Sequence, residues 1–258
     1  MERQYGWKPD LPNPQDFKYK LTNVFPSLVT TTNRNKYVMP FKRDQLNEGS
    51  CTGQMGAFLT DFNILNGRIE SKPKVSPVPV SPQFIYYNAR VIEGTTAEDS
   101  GAQIRDAIKG INKCGACSEK ALPYNTNKYA KKPTATQYKK GLAYIASAYE
   151  TIDNTRIENL IDCLQRGIPF GFGFSVFESF QSEEVATTGI VPMPDLAAEK
   201  LLGGHAVVGI DWDRELDGIW CRNSWGPDWG DQSYFFLPTS YITNPQLADD
   251  FWIITAIK

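Results

Sequence analysis

The chain has 258 residues, 41% of them apolar and 22% charged, with a formal net charge of −2. At ~100–200 residues per domain, that length suits one large domain or two halves around a sizeable core. The balanced charge gives no electrostatic reason to expect a nucleic-acid or anionic-membrane partner, and no apolar run approaches the roughly 18 residues needed to cross a bilayer. The polar start, Met1-Glu2-Arg3-Gln4-Tyr5-Gly6, lacks the apolar stretch of a secretory signal. Five cysteines, an odd number in a long chain, suit free thiols in a reducing compartment better than a disulfide framework.

Taken in chain order, residues 1–22 carry Pro9, Pro12 and Pro14 and read as an extended arm, expected to lie as a strap over the surface. The next element is a helix. Met55, Phe58, Leu59, Phe62 and Leu65 recur at three- and four-residue steps, with Ser50 as cap, Cys51 in the first turn and Asn66-Gly67 as the stop. A helix N-terminus carries a partial positive charge of roughly half a unit, which favours thiolate over thiol at Cys51. Residues 71–82 form a proline-dense extended loop that ends with Ser81 capping a helix at Pro82. Further helices are expected over 102–113, stopping at Gly115, and over 155–166, capped by Asn154 and followed by Gly167. Beyond Gly167 the period changes to two. Phe170, Phe172, Phe174 and Val176 alternate with small residues, and strands are expected there and over 207–211, 218–222, 234–237 and 251–257. The pattern is α+β: a mainly helical half followed by a mainly β half, with a substrate cleft expected between them. There is no internal repeat and no low-complexity tract.

A nucleophilic thiolate needs a proton acceptor, and the chain has one histidine. His205 lies in Gly203-Gly204-His205-Ala206-Val207-Val208, beside a buried strand. A third group must hold the imidazole in one tautomer, and Asn223 follows in Asn223-Ser224-Trp225-Gly226. Each of these residues alone reads as structural: a buried thiol, a core histidine, a turn beside a tryptophan. Cys114 and Cys117 form a Cys-x-x-Cys pair, but no second pair completes a zinc site and no βαβ pattern surrounds it. It reads as two structural thiols, and no metal or other cofactor is expected.

In combination, Gln45 and Cys51, then Gly-Gly-His-Ala-Val-Val, then Asn-Ser-Trp-Gly resemble the papain (C1) family of cysteine peptidases, which shares the order Cys, His, Asn. The segment Cys114-Gly115-Ala116-Cys117-Ser118-Glu119, reaching Pro123-Tyr124, is similar to one in the family's helical half. The resemblance implies a papain-like catalytic domain over 23–258, divided near 150 into the helical half (23–150) and the β half (151–258). Arm 1–22 is too short for the family's folded inhibitory prosegment. By resemblance, Cys51 attacks a peptide carbonyl, His205 carries the proton, Asn223 orients the ring, Gln45 serves the oxyanion hole, Trp225 shields the Asn–His contact and Ala206 lines a substrate pocket. The implied reaction is hydrolysis of a peptide or protein substrate through a thioester acyl-enzyme. A catalytically silent peptide- or protein-binding module and an acyltransferase using the same Cys–His pair are the alternatives.

The pattern departs from common members. Thr52 stands where they have an aromatic residue, no cysteine precedes Cys51 in its loop, and the Gly-Gly substrate wall has no clear match before Cys114. Branches with Gly-Ser-Cys-Thr around the nucleophile are closer than the lysosomal cathepsins. The polar start suits a cytoplasmic enzyme, one packaged in a virus particle or one delivered by a bacterium. A thiolate–imidazolium pair would lower the Cys51 thiol and raise His205, so reactivity should fall in both acid and base.

Overall fold

Two long helices pack on one face of a six-stranded antiparallel sheet and a third packs on both of them, in a computed structural model that describes residues 3–21, 41–66 and 79–258. The expected proline-dense stretch over 71–78 and Gly67 lie outside the described residues. In chain order the elements are β1 (Trp7–Lys8), α1 (Cys51–Leu65), α2 (Pro82–Glu93), β2 (Ala102–Gln103), α3 (Ile104–Cys114), α4 (Ala135–Gly141), β3 (Ala146–Thr151), α5 (Ile157–Gln165), β4 (Phe170–Phe177), α6 (Glu183–Thr188), β5 (Leu201–Asp213), β6 (Gly218–Arg222), β7 (Tyr234–Pro238), α7 (Thr239–Ile242) and β8 (Ala248–Ile257). The sheet runs β3-β8-β4-β5-β6-β7. The fold is α+β, as the sequence pattern predicts.

The alternation in β4 shows how one strand serves two layers. Phe170, Phe172 and Phe174 point into the core beyond the sheet, where Phe172 stacks on Phe251 with ring centres 4.8 Å apart. Gly171 and Gly173 face the other way. A Cβ at Gly171 would fall 2.2 Å from the Met55 sulfur of α1, and one at Gly173 would fall 2.0 Å from the Trp7 indole. The missing side chains let α1 and the N-terminal arm approach the sheet.

Helix α1 is buried from Cys51 to Ile64, on all sides rather than along one stripe. It is wedged between α2, α3 and the sheet, so its polar residues bond internally, Thr60 to the Gly56 carbonyl and Asn63 to Leu59 and Ile254. Ser81 caps α2 by accepting the Phe84 N–H, with Pro82 in the first turn. Two helix starts differ from the sequence reading for identifiable reasons. Ala102 and Gln103 pair in parallel with Trp7 and Lys8, which delays α3 to Ile104. The Asn154 amide bonds the carbonyls of Ile242 and Ala248 instead of capping, so α5 begins at Ile157.

Candidate active site

Cys51 opens α1 and is fully buried. Ser50 precedes it but makes no side-chain cap; its Oγ lies 2.6 Å from the Tyr124 hydroxyl, which donates to the Gln45 carbonyl. The loop before the nucleophile is therefore pinned from the segment after α3. Antiparallel pairing of β5 with β6 carries His205 alongside the end of β6, where Asn223 follows. His205 Nε2 lies 2.8 Å from Asn223 Oδ1, and the Trp225 ring covers the imidazole at a centre distance of 5.1 Å. Nδ1 has no hydrogen-bond partner. The Cys51 thiol meets backbone groups of Ala206, Gly6 and Thr52, which places it against the residue following His205.

Gln45 is fixed at both ends of its amide. Its Oε1 accepts from Ser224 Oγ at 2.7 Å and its backbone N–H donates to the Ser224 carbonyl, so the residue after Asn223 orients it. Its Nε2 donates to the Glu48 carbonyl at 3.0 Å and to the Gln4 carbonyl at 3.1 Å. The structure thus gathers Gln45, Cys51, His205, Ala206, Asn223 and Trp225 at one place.

The Gln4 contact corrects the expectation of a surface strap: the N-terminal arm lies across the site. Arg3 donates to Asp44 and to the Trp225 carbonyl, Tyr5 packs edge-on against His205, and the Gly6 carbonyl accepts from the Ala102 N–H. Trp7 fills the space above Gly173 and Gly204 and donates its indole N–H to Asp250 at 2.8 Å. The strap reading weighed proline content and missed the complementarity between Tyr5-Gly6-Trp7 and glycines on facing strands.

Enclosure by the arm sets the electrostatics. Burial pushes the Cys51 thiol up to about 11, against the lowering effect of facing backbone groups. Burial also pulls His205 down to about 4, although the Asn223 contact acts the other way. Both directions oppose the thiolate–imidazolium expectation, because the expectation assumed solvent access. With the arm in place, burial favours the neutral thiol and the neutral imidazole.

The sequence matches the papain family cysteine protease description over residues 30–250. The chain belongs to the papain family of cysteine proteases. It is 40% identical over 221 residues to a peptidase C1-like protein of Acanthamoeba polyphaga mimivirus, covering 83% of this chain and 69% of that one. Similarity to a cathepsin B-like protein of Giardia intestinalis is 26% over 197 residues, 74% of this chain and 62% of that one. Xylellain, a cysteine protease from Xylella fastidiosa, superposes with a TM-score of 0.88 at 34% identity, covering 100% of this chain and 99% of that one. Bromelain from Ananas comosus shares the fold, with a TM-score of 0.64 at 18% identity over 88% and 98% of the two chains.

For a papain-family protease the sequence reading missed Ser224, which orients Gln45, and the arm residues Gln4 to Trp7. Ser224 sits inside the Asn-Ser-Trp-Gly motif, so its neighbours were the available signal. Cys114 is half-buried and Cys117 buried, both as free thiols. Among the described residues no cluster of three His, Cys, Asp or Glu side chains could hold a metal ion, and no helix is long and apolar enough to span a membrane.

Proposed function

We propose that this papain-family protease hydrolyses peptide bonds with Cys51 as nucleophile, His205 as proton carrier, Asn223 as the group that orients the ring and Gln45 as an oxyanion donor. One observation supports this above the others: the Gln45 side-chain N–H donates to a backbone carbonyl, that of Gln4, in a segment that also meets the Cys51 thiol. A peptide can therefore lie over the nucleophile with a carbonyl at the donor that would stabilise an oxyanion.

In the reaction, the Cys51 sulfur forms a bond to the substrate carbonyl carbon while its proton passes to Nδ1 of His205, the nitrogen left free by the Nε2–Asn223 contact. The carbonyl oxygen takes the negative charge beside Gln45 Nε2. Collapse of this intermediate breaks the C–N bond, and the imidazolium returns the proton to the leaving amine. Water then attacks the thioester, with His205 accepting its proton, to release the acid and the thiol. Trp225 and Ala206 flank this path, the first over the imidazole and the second beside the sulfur.

Bromelain has been solved with the inhibitor E64, and the same reagent tests the assignment here. The 258-residue chain at neutral pH should be modified at Cys51 alone, slowly and at the rate at which the arm uncovers it, and should cleave members of a peptide library at a correspondingly low rate. Cys51→Ala should do neither. Modification spread evenly over the five cysteines would refute the nucleophile assignment. Capture of the acyl group by an added amine in place of water would point to acyl transfer instead of hydrolysis.

A further inference from the structure

A carboxyl group outside the Cys51, His205, Asn223 and Gln45 set grips the loop that leads into the nucleophile. Asp99 lies in the turn between α2 and β2. Its two oxygens both accept the Gly49 backbone N–H, at 2.9 and 3.1 Å, and one of them also accepts the Tyr86 hydroxyl at 2.5 Å. Tyr86 in turn accepts the Gly101 N–H at 3.0 Å. The turn is braced from α2 as well. The Arg90 guanidinium stacks on the Tyr86 ring at 3.9 Å and donates to the carbonyls of Glu98 and Tyr129 at 2.6 and 2.7 Å. Helix α2 therefore presents Asp99 to Gly49 in one fixed place.

The other side of the same peptide group faces the oxyanion donor. The Gly49 N–H shares a planar unit with the Glu48 carbonyl, and that carbonyl accepts the Gln45 side-chain amide at 3.0 Å. A planar unit held at its N–H cannot turn its carbonyl aside. The Gln45 amide has two N–H bonds and one oxygen to place. Ser224 takes the oxygen and the Glu48 carbonyl takes one N–H, which leaves the second N–H for the Gln4 carbonyl, where a substrate carbonyl would lie.

We propose that Asp99 is a positioning residue for the oxyanion donor: through the Glu48–Gly49 peptide group it sets the direction of the Gln45 side-chain N–H, and Tyr86 holds Asp99 to that task. The proposal rests on the peptidase reading, whose reaction it deepens. Asp99 touches no reacting atom. A donor aimed before the carbonyl oxygen takes up charge has no reorganisation left to make when the charge arrives. Without the Asp99 contact the Glu48–Gly49 peptide group is free to rotate, and the Gln45 amide follows the carbonyl it is bonded to.

The test compares two reactions at one sulfur. Peptide cleavage passes through an oxyanion, whereas iodoacetamide alkylation displaces iodide from a CH₂ carbon and forms none. Access to Cys51 and the state of its thiol enter both rates, so the ratio of cleavage to Cys51 alkylation in the 258-residue chain isolates the oxyanion donor. Gln45→Ala should lower this ratio about 10²–10³-fold and Asp99→Ala about tenfold or more, the latter in kcat with KM nearly unchanged. In the double variant the ratio should match that of Gln45→Ala within roughly threefold, because Asp99 acts only through Gln45. Asp99→Asn keeps an oxygen for the Gly49 N–H and should restore most of the loss. If Asp99→Ala does not fold, Tyr86→Phe, which keeps the ring and removes the hydroxyl, should lower the ratio roughly threefold. An unchanged ratio in the folded variant, or an Asp99→Ala loss as large in the Gln45→Ala chain as in the unaltered one, overturns the proposal and leaves the peptidase reading standing. Alkylation of Cys51 with no peptide of the library cleaved removes the peptidase reading and this proposal with it.

Discussion

Gly6→Ala should switch the protein on. At Gly6 an added Cβ would fall 1.8 Å from the Gly49 carbonyl oxygen and 2.4 Å from its carbon, both backbone atoms that no rotamer change can move aside. The arm must then lift, breaking the Ala102 N–H bond to the Gly6 carbonyl (2.8 Å) and the Gln45 bond to the Gln4 carbonyl (3.1 Å). At about 1 kcal/mol net for each bond, docking weakens by about 2 kcal/mol, a factor of roughly 30 in the docking constant. Because Cys51 is wholly buried in the docked state, it reacts only when the arm is away, and its modification rate follows the released fraction. The assay is the second-order rate of E64 or haloacetamide modification, mapped by mass, with half-buried Cys114 as internal reference. The expected result is a gain of at least tenfold at Cys51 and none at Cys114. An unchanged Cys51 rate would refute the reasoning, since it would mean that the arm does not control access.

The remaining predictions concern the site and the core. Ser224→Ala removes the donor to Gln45 Oε1, so the amide is no longer aimed; kcat in the Gly6→Ala background should fall about tenfold with KM nearly unchanged. Asn223→Ala strips His205 Nε2 of its partner in a fully buried setting and should cost about 1–3 kcal/mol in urea unfolding, with Cys51 modification slowed at least tenfold. Phe172→Ala opens a cavity beneath the sheet where Phe172 stacks on Phe251, and should lower stability by about 3–5 kcal/mol while leaving the pH profile of Cys51 in place.

The parts of this fold that could be read from the chain are those whose signal is local. Alternating Phe and Gly residues marked β4, the three- and four-residue spacing marked α1, and a single histidine left no choice of imidazole. Cys51, His205, Asn223 and Gln45 stood out because each lies in a motif of fixed residue types, and the fold brings all four together. What stayed hidden depends on partners far away in sequence. Tyr5-Gly6-Trp7 has no periodicity of its own, and its meaning lies in Gly173, Gly203, Gly204 and Asp250, more than 160 residues on. Glycines 171 and 173 suggested a strand with one bulky face, whereas their function is to leave room for Met55 and Trp7. The start of α3 moved for the same reason, since β2 exists only because the arm pairs with it.

The arm also changes the chemistry, beyond blocking the way. Burial pushes the Cys51 thiol up to about 11 and pulls His205 down to about 4, so both favour their neutral forms near neutral pH. Burial is the first cause of both displacements, so both relax together when the arm lifts and water returns; only then can the helix N-terminus and the imidazole favour thiolate. On this reasoning release and ionisation would be one event, with cover and protonation protecting the closed protein together. Oxidation tests this directly, because peroxide attacks the thiolate and needs access to it. At equal peroxide dose, Gly6→Ala should accumulate sulfinic acid at Cys51 while the unaltered protein keeps the free thiol. Equal oxidation of the two would show that the docked arm shields neither the sulfur nor its proton.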